Sequence, residues 1–229
     1  MKAAVVIPVY NHHQRVAEVI ARARSLGLRI IVIDDGSTDN TTRVLAEEHG
    51  ITVIRHPHNK GKGAALLTGF RAAMRGCDYA LTIDGDGQHY PDDGKALLAA
   101  VGDGRRALVV GVRRGMDGEH VPWTSRFGRG FSNFWVWACG GPRLNDSQSG
   151  FRLYPLPEVL ELQVHARRYQ FEVEVLVRAH RNRLPILEVP VSVVYQPRGE
   201  RISHFRPWRD FWRNSMTFSR LFFSRFFSQ

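Results

Sequence analysis

Tyr79-Ala-Leu-Thr-Ile83, followed directly by Asp84-Gly-Asp-Gly-Gln-His89, is the stretch on which the fold turns. The first five residues are an apolar run of the kind a buried strand uses, and the next six form a glycine-rich polar loop. A strand therefore delivers Asp84 and Asp86, one residue apart, to its carboxyl end. Two carboxylates at that spacing repel each other. A hard cation such as Mg²⁺ or Mn²⁺ relieves the repulsion and keeps coordination positions open for phosphate oxygens. The alternative is a solvated Asp/Gly turn, and the surrounding sequence has to decide between the two.

On the N-terminal side the pattern alternates. Ala3–Val9 reads as a buried strand, residues 14–25 as a helix, 28–33 as a strand, and 38–49 as a helix capped by Ser37, Thr38 or Asp39. Thr52–Arg55 is a short strand, residues 61–75 a helix, 79–84 the strand already quoted, 93–101 a helix and 107–112 a strand. Short Val/Ile/Leu runs between helices predict a mostly parallel sheet covered on both faces. Ligands of such sheets bind beyond the carboxyl ends of the strands. Those ends carry Tyr10-Asn11, Asp34-Asp35-Gly36-Ser37, Asp84-Gly85-Asp86 and Arg113-Arg114, so several polar clusters converge on one edge.

The second half changes character. Residues 125–139 are aromatic and amphipathic and end at Gly140-Gly141-Pro142. Asp146-Ser-Gln-Ser-Gly-Phe-Arg152 is a polar loop running into Leu153-Tyr154. A helix at Phe171–Arg181 and an extended stretch at 186–195 follow. In the tail around and beyond Pro207, Arg206, Arg209, Arg213 and Arg220 fall within about 60° on a helical wheel. Trp208, Phe211, Trp212, Phe218, Phe222 and Phe226 cover much of the rest, with Arg225 breaking the stripe. Two readings stay open for this tail: a helix lying in a lipid interface, or one packed on the domain with a basic outer face.

Composition sets the bounds. At 229 residues and 43% hydrophobic content the chain can bury a proper core as one domain, and no stretch approaches the ~20 apolar residues of a membrane span. Met1-Lys2 leads straight into a strand, so no signal peptide is expected. Cys77 and Cys139 are far apart, without metal-ligand spacing, and fit a reducing cytoplasm. The net charge of +10 calls for a polyanionic partner, which composition leaves open among nucleic acid, anionic lipid and phosphorylated substrate.

Four motifs in order, Val6-Ile-Pro-Val-Tyr-Asn11, Val32-Ile-Asp-Asp-Gly-Ser-Thr-Asp39, Asn59-Lys-Gly-Lys-Gly-Ala64 and Asp84-Gly-Asp-Gly-Gln-His89, resemble glycosyltransferase family 2 across roughly the first 115 residues. Asp146-Ser-Gln-Ser-Gly-Phe-Arg152 and Glu188-Val-Pro190 resemble its branch of dolichol-phosphate mannosyltransferases and bacterial polyprenyl-phosphate relatives. The resemblance implies an α/β fold of the GT-A type, a mostly parallel central sheet flanked by helices, followed here by an amphipathic C-terminal helix. It implies a metal-dependent, inverting transferase with a nucleotide-sugar donor and a Mg²⁺ or Mn²⁺ ion. Residues 1–206 would form the catalytic domain, with 1–115 on the nucleotide-sugar side and 116–206 on the acceptor side, and 207–229 would be the tail.

On that resemblance Asp35 takes hydrogen bonds from base or ribose, with Pro8, Tyr10 and Ile33 as the slot wall; the alternative for Asp35 is a helix cap. Asp84, Asp86 and Gln88, with Gly85 between them, look like the metal and diphosphate site, and Asp86 the catalytic member. Arg113 matches a nucleotide-sugar contact. Ser149 and Arg152 line the acceptor site. Asp146 is the candidate base if the acceptor is a hydroxyl; a lipid phosphate, already anionic, needs none. Glu174 matches an acidic family position, and Glu172, two residues away on a helix, reads as solvated. The sequence departs from the family at His12, where an acidic residue is usual. It departs again at Gly199-Glu-Arg-Ile-Ser-His-Phe205, two residues longer than the relatives' phosphate loop, where Arg198, Arg201 and His204 are the candidate phosphate ligands.

Rival readings are weaker. Gly61-Lys-Gly63 begins like a dinucleotide fingerprint, but Leu66 holds the third glycine position; Gly63 is followed by Ala, which excludes a P-loop. Arg interleaved with Trp and Phe suggests nucleic acid, yet no helix-turn-helix, zinc or RNP pattern accompanies it. The expected partners are therefore a nucleotide sugar, a lipid-phosphate or other lipid-linked acceptor, and a peripheral membrane surface on the cytoplasmic face, with no nucleic acid.

Overall fold

The computed structural model describes residues 1–102, 104–114, 123–193 and 218–222. Among these, seven strands form one sheet: β1 (Ala3–Val9), β2 (Arg29–Asp34), β3 (Thr52–Arg55), β4 (Tyr79–Thr82), β5 (Leu108–Arg113), β6 (Arg152–Pro155) and β7 (Ile186–Val191), in the order β3-β2-β1-β4-β6-β5-β7. The left half, β3-β2-β1-β4, is parallel throughout, and β5 pairs parallel with β7. Between them β6 runs antiparallel to both β4 and β5.

Helices α1 (Val16–Ala23), α2 (Thr41–Ala46), α3 (Lys62–Ala73), α4 (Gly94–Ala99), α5 (Trp123–Ala138), α6 (Glu158–Glu161) and α7 (Phe171–Arg181) cover the sheet. Alternate β1 residues face opposite layers. Ala4 and Val6 pack with Ile31, Leu66, Phe70 and Phe171, whereas Val5, Ile7 and Val9 pack with Ile20, Val32, Leu81 and Leu153. Both faces are dry, which explains continuous apolar runs in place of alternation. Each such side chain contributes roughly 1.5–3 kcal/mol on burial.

The alternation predicted from sequence is present, with helices one to three residues shorter at most ends. Two elements differ. The helix α2 starts later than expected, at Thr41, and Asp39, one of the three expected caps, accepts the Thr41 N–H on Oδ1 at 2.9 Å. Residues 152–155, read as the end of a loop, are strand β6 at the centre of the sheet.

The tail can be assessed only at 218–222, a helical turn that packs on the domain. Phe218 and Leu221 are buried; Phe218 stacks on Trp135 with ring centroids 5.9 Å apart. Arg220 pairs with Glu174 at 2.6 Å, and Arg181 donates to the carbonyls of Cys139 and Leu221. For these residues the domain-packed reading replaces the lipid-facing one. The other tail residues lie outside those described.

Candidate active site

The carboxyl ends of β1, β2, β4 and β5 share one edge because their pairing is parallel, directly or through the sheet. β1 and β2 end together, with Val9 opposite Asp34. Asn11 ties them: its N–H donates to Ser37 Oγ at 3.0 Å, and its Oδ1 accepts the Thr38 N–H at 2.8 Å. Gly36, at φ +73°, passes so close to the backbone of His58 that an added Cβ would lie 2.5 Å from His58 C. The loop after β2 is thereby pinned to the loop that leads into α3.

Asp35 does the pinning. It is 2% exposed; Oδ1 contacts His56 Nδ1 at 2.7 Å and accepts the Lys60 N–H at 3.0 Å, and Oδ2 accepts the Gly61 N–H at 2.7 Å. A carboxylate has about four lone-pair directions, so one remains on Oδ2 for a ligand. Of the expected slot wall, Pro8 and Ile33 are buried, Ile33 in the core against α3, and Tyr10 alone is half-exposed. Ile33 therefore belongs to packing and not to a ligand wall.

By holding the 60–61 backbone, Asp35 fixes the start of α3 and the Lys62 side chain. Lys62 Nζ lies 2.6 Å from Asp84 Oδ1 and 2.6 Å from Glu172 Oε1. Opposite them, Thr82 Oγ1 donates to the Gly150 carbonyl at 2.7 Å, drawing the 146–152 loop over the end of β4. Glycine at 150 leaves these side-chain tips in place: an added Cβ would lie 2.5 Å from Asp84 Oδ2, 2.6 Å from Lys62 Nζ and 2.8 Å from Glu172 Oε1, so all three would have to shift. Burial raises the Asp84 carboxyl, but the charge and hydrogen bond of Lys62 outweigh it and hold the pKa below the ordinary value. Burial likewise opposes the Lys62 charge, and Asp84 and Glu172 together hold its pKa above the usual range. Glu172 is 6% exposed, so the solvated reading of it is corrected: α7 is covered on all sides from Phe171 to Val177, and a two-residue offset there does not reach water. Lys62 escaped the sequence reading because Glu172 lies 110 residues away, although its 59–64 motif marked the place.

Asp86, Gly87 and Gln88 are half-buried and Gly85 is buried, with the Gln88 N–H donating to Asp86 Oδ1 at 3.0 Å. His89 is buried, stacked on Phe151 at 5.2 Å, and among the described residues its Nδ1 has no hydrogen-bond partner. Burial pushes its pKa down to about 4, Arg113 and Lys62 adding to the shift against the pull of Asp84 and Asp146.

The acceptor-side residues are placed differently from expectation. Arg113 Nε and Nη2 donate to Asp146 Oδ2 and Oδ1 at 2.7 and 2.9 Å, a bidentate pair on a fully buried carboxylate. Burial raises Asp146, but the Arg113 hydrogen bonds and charge win, so it is held below the ordinary carboxylate value. Ser149 is buried with its hydroxyl on the Phe151 N–H. Arg152 is fully buried and donates to the carbonyls of Ser149, Glu172 and Ser147 at 2.7, 2.7 and 2.8 Å. Ser149 and Arg152 thus hold the loop from inside and do not line an acceptor surface. Glu174 accepts from the backbone of Ala166 and from Arg178 and Arg220, and Glu188 from Asn145; both are anchors. Arg198, Arg201 and His204 lie outside the described residues.

A metal can be tested only against the donors. Asp84, Asp86 and Gln88 offer hard oxygen ligands on one half-buried loop, Asp84 ionised, which suits Mg²⁺ or Mn²⁺. Among the described residues no three His, Cys, Asp or Glu side chains converge as a preformed cage. The donor chemistry fits an open site of the kind completed by substrate phosphates.

The fold and this edge define a GT-A glycosyltransferase. The solved mannosyl-3-phosphoglycerate synthase of Rubrobacter xylanophilus superposes at a TM-score of 0.69 over 98% of this chain and 74% of that one, at 18% identity. TarS of S. aureus in complex with UDP gives 0.56 over 96% and 65%, at 17% identity. The profile of "Glycosyl transferase family 2" matches residues 4–155, and the chain belongs to that family. It is 32% identical over 212 residues to a UDP-N-acetylglucosamine–dolichyl-phosphate N-acetylglucosaminyltransferase of Methanococcus voltae, covering 83% of this chain and 84% of the relative. It is 32% identical over 220 residues, 87% and 86% covered, to an undecaprenyl-phosphate mannosyltransferase of Micrococcus luteus.

Proposed function

We propose that this glycosyltransferase moves a sugar from a nucleotide donor to a polyprenyl-type phosphate, with inversion, assisted by a divalent cation. The observation that carries the acceptor is the Arg113–Asp146 pair. A carboxylate held bidentate by a guanidinium, with its pKa lowered, is a poor proton acceptor. A hydroxyl acceptor would need such a base; a phosphate monoester brings its own negative charge. The printed names of the relatives, which include dolichyl-phosphate and undecaprenyl-phosphate, support the same class.

In a single displacement an acceptor phosphate oxygen bonds to the anomeric carbon, and the bond from that carbon to the diphosphate oxygen breaks. The electron pair leaves with the nucleoside diphosphate, and no proton moves. Asp35 and Tyr10 would meet the nucleoside. Asp84, Asp86 and Gln88 would hold the cation, and Arg113 would add positive charge beside the leaving group. The bound ion stabilises charge developing on the diphosphate.

The acceptor is membrane-borne, and α5 supplies a surface for it. Phe127, Phe134 and Trp137 are 63%, 54% and 45% exposed, and Arg143 lies over the Trp137 ring at 5.2 Å. Aromatic faces with neighbouring cations suit an anionic headgroup layer. Among the described residues no helix is long and apolar enough to cross a membrane. Peripheral association on the cytoplasmic face agrees with Cys77 and Cys139 not being joined in a disulfide.

The test is transfer from a panel of UDP- and GDP-sugars to polyprenyl phosphate and, in parallel, to the matching polyprenol. Product is expected on the phosphate alone. Comparable rates on the alcohol would overturn the acceptor class and return Asp146 to the role of base.

A further inference from the structure

The cation already present at this site is Lys62. Its Nζ sits between Asp84 and Glu172 at 2.6 Å from each. Its backbone has little freedom, since Asp35 grips the two preceding N–H groups and the Ala64 N–H donates to the Arg167 carbonyl at 2.9 Å. Gly150 lies against the three side-chain tips, where the Cβ of any other residue would displace them. An ion bound through Asp84 at an ordinary metal–oxygen distance of 2.0–2.2 Å would stand within roughly 5 Å of Nζ. At that separation, away from bulk water, two cations repel strongly.

We infer that Lys62 is a positioning residue that occupies Asp84 in the free enzyme, so that divalent-ion binding is conditional on the nucleoside diphosphate. The diphosphate supplies the negative charge that lets Lys62 and the ion share one carboxylate. Glu172 sets the strength of this gate by sharing Lys62: with Glu172 in place, Nζ is divided between two side chains, and in its absence Asp84 has Lys62 to itself. This rests on the metal reading of Asp84.

The experiment is direct Mn²⁺ binding to the purified full chain, followed by calorimetry and by the Mn²⁺ electron-spin resonance signal, with no sugar or acceptor present. Lys62→Met is expected to bind Mn²⁺ at least tenfold more tightly than wild type. Glu172→Gln should bind it severalfold more weakly. Saturating UDP or GDP should tighten Mn²⁺ binding to wild type at least tenfold more than to Lys62→Met. A purely structural role would weaken binding in both Lys62→Met and Glu172→Gln, so opposite signs identify the gate. Equal Mn²⁺ affinity in wild type and Lys62→Met, with nucleotide-dependent binding intact, overturns the gate and leaves the metal site standing. Absence of Mn²⁺ binding in every variant, with or without either nucleotide, overturns both. If circular dichroism shows Lys62→Met unfolded, Glu172→Gln decides alone, and unchanged or tighter Mn²⁺ binding there sinks the inference.

Discussion

Residues 84–89 and 146–152 are both short loops that combine Asp, Gly and Gln at the same sheet edge, and the fold uses them in opposite ways. The first keeps Asp84, Asp86 and Gln88 half-buried, toward the edge. The second turns inward: Asp146, Ser147, Ser149 and Arg152 are all buried, and their hydrogen bonds close on the protein itself. The difference follows from strand direction. The 84–89 loop leaves the carboxyl end of β4, with Gly150 against Asp84 at its start and a bridge from His89 to Val193 at its end, and the side chains between stay half-buried. The 146–152 loop must reverse into β6 between two strands, and a buried guanidinium on three carbonyls holds that reversal.

If the outward loop carries the chemistry, Asp86→Ala should lower kcat by on the order of a hundredfold or more, with the circular dichroism spectrum unchanged. Full activity in that variant would end the assignment. If the inward loop carries the fold, Arg152→Met should behave in reverse. Three carbonyls lose their donor, and urea denaturation should show a loss of about 3 kcal/mol or more; a stable but inactive variant would restore Arg152 to the acceptor site. His89 sits between the loops, buried and neutral. Its pKa falls from 6.5 to about 4 on folding, so the unfolded chain takes up the proton first. Stability should therefore decline as pH is lowered from about 6.5 toward 4, by on the order of 1.4 kcal/mol per unit, and His89→Phe should flatten that slope. The smallest effect belongs to α5: Phe134→Ser with Trp137→Ser should weaken binding to anionic vesicles severalfold while the thermal midpoint stays put. Unchanged vesicle binding would remove α5 as the lipid surface.

The alternation of strands and helices was legible because burial on both faces leaves continuous apolar runs; Thr52–Arg55 and Phe171–Arg181 match the expected limits. Strand β6 was not, because four residues bounded by Arg152 and Pro155 carry no period of their own. Asp84 and Asp86 were legible as carboxylates that need a counter-charge. That Lys62 already supplies part of it depends on a helix far along the chain. The orientation of a polar side chain is set by its neighbours in space, which is why the burial of Ser149, Arg152 and Glu172 was not legible.

The position of β6 also dictates the order in which this molecule can be completed. As the chain leaves the ribosome, β1 to β4 can pair as soon as they are made, but β4 then presents an open flank. Strand β5 still waits for its partners, since among the described residues it pairs with β6 and β7. Both stay exposed until residues 152–155 arrive, roughly forty residues later. Unpaired apolar strand edges are the part of a nascent chain most prone to association with others. The same residues that seat the 146–152 loop thus act as the closing piece of the sheet, and a translation stall between β5 and β6 would release a sticky fragment rather than a smaller working enzyme.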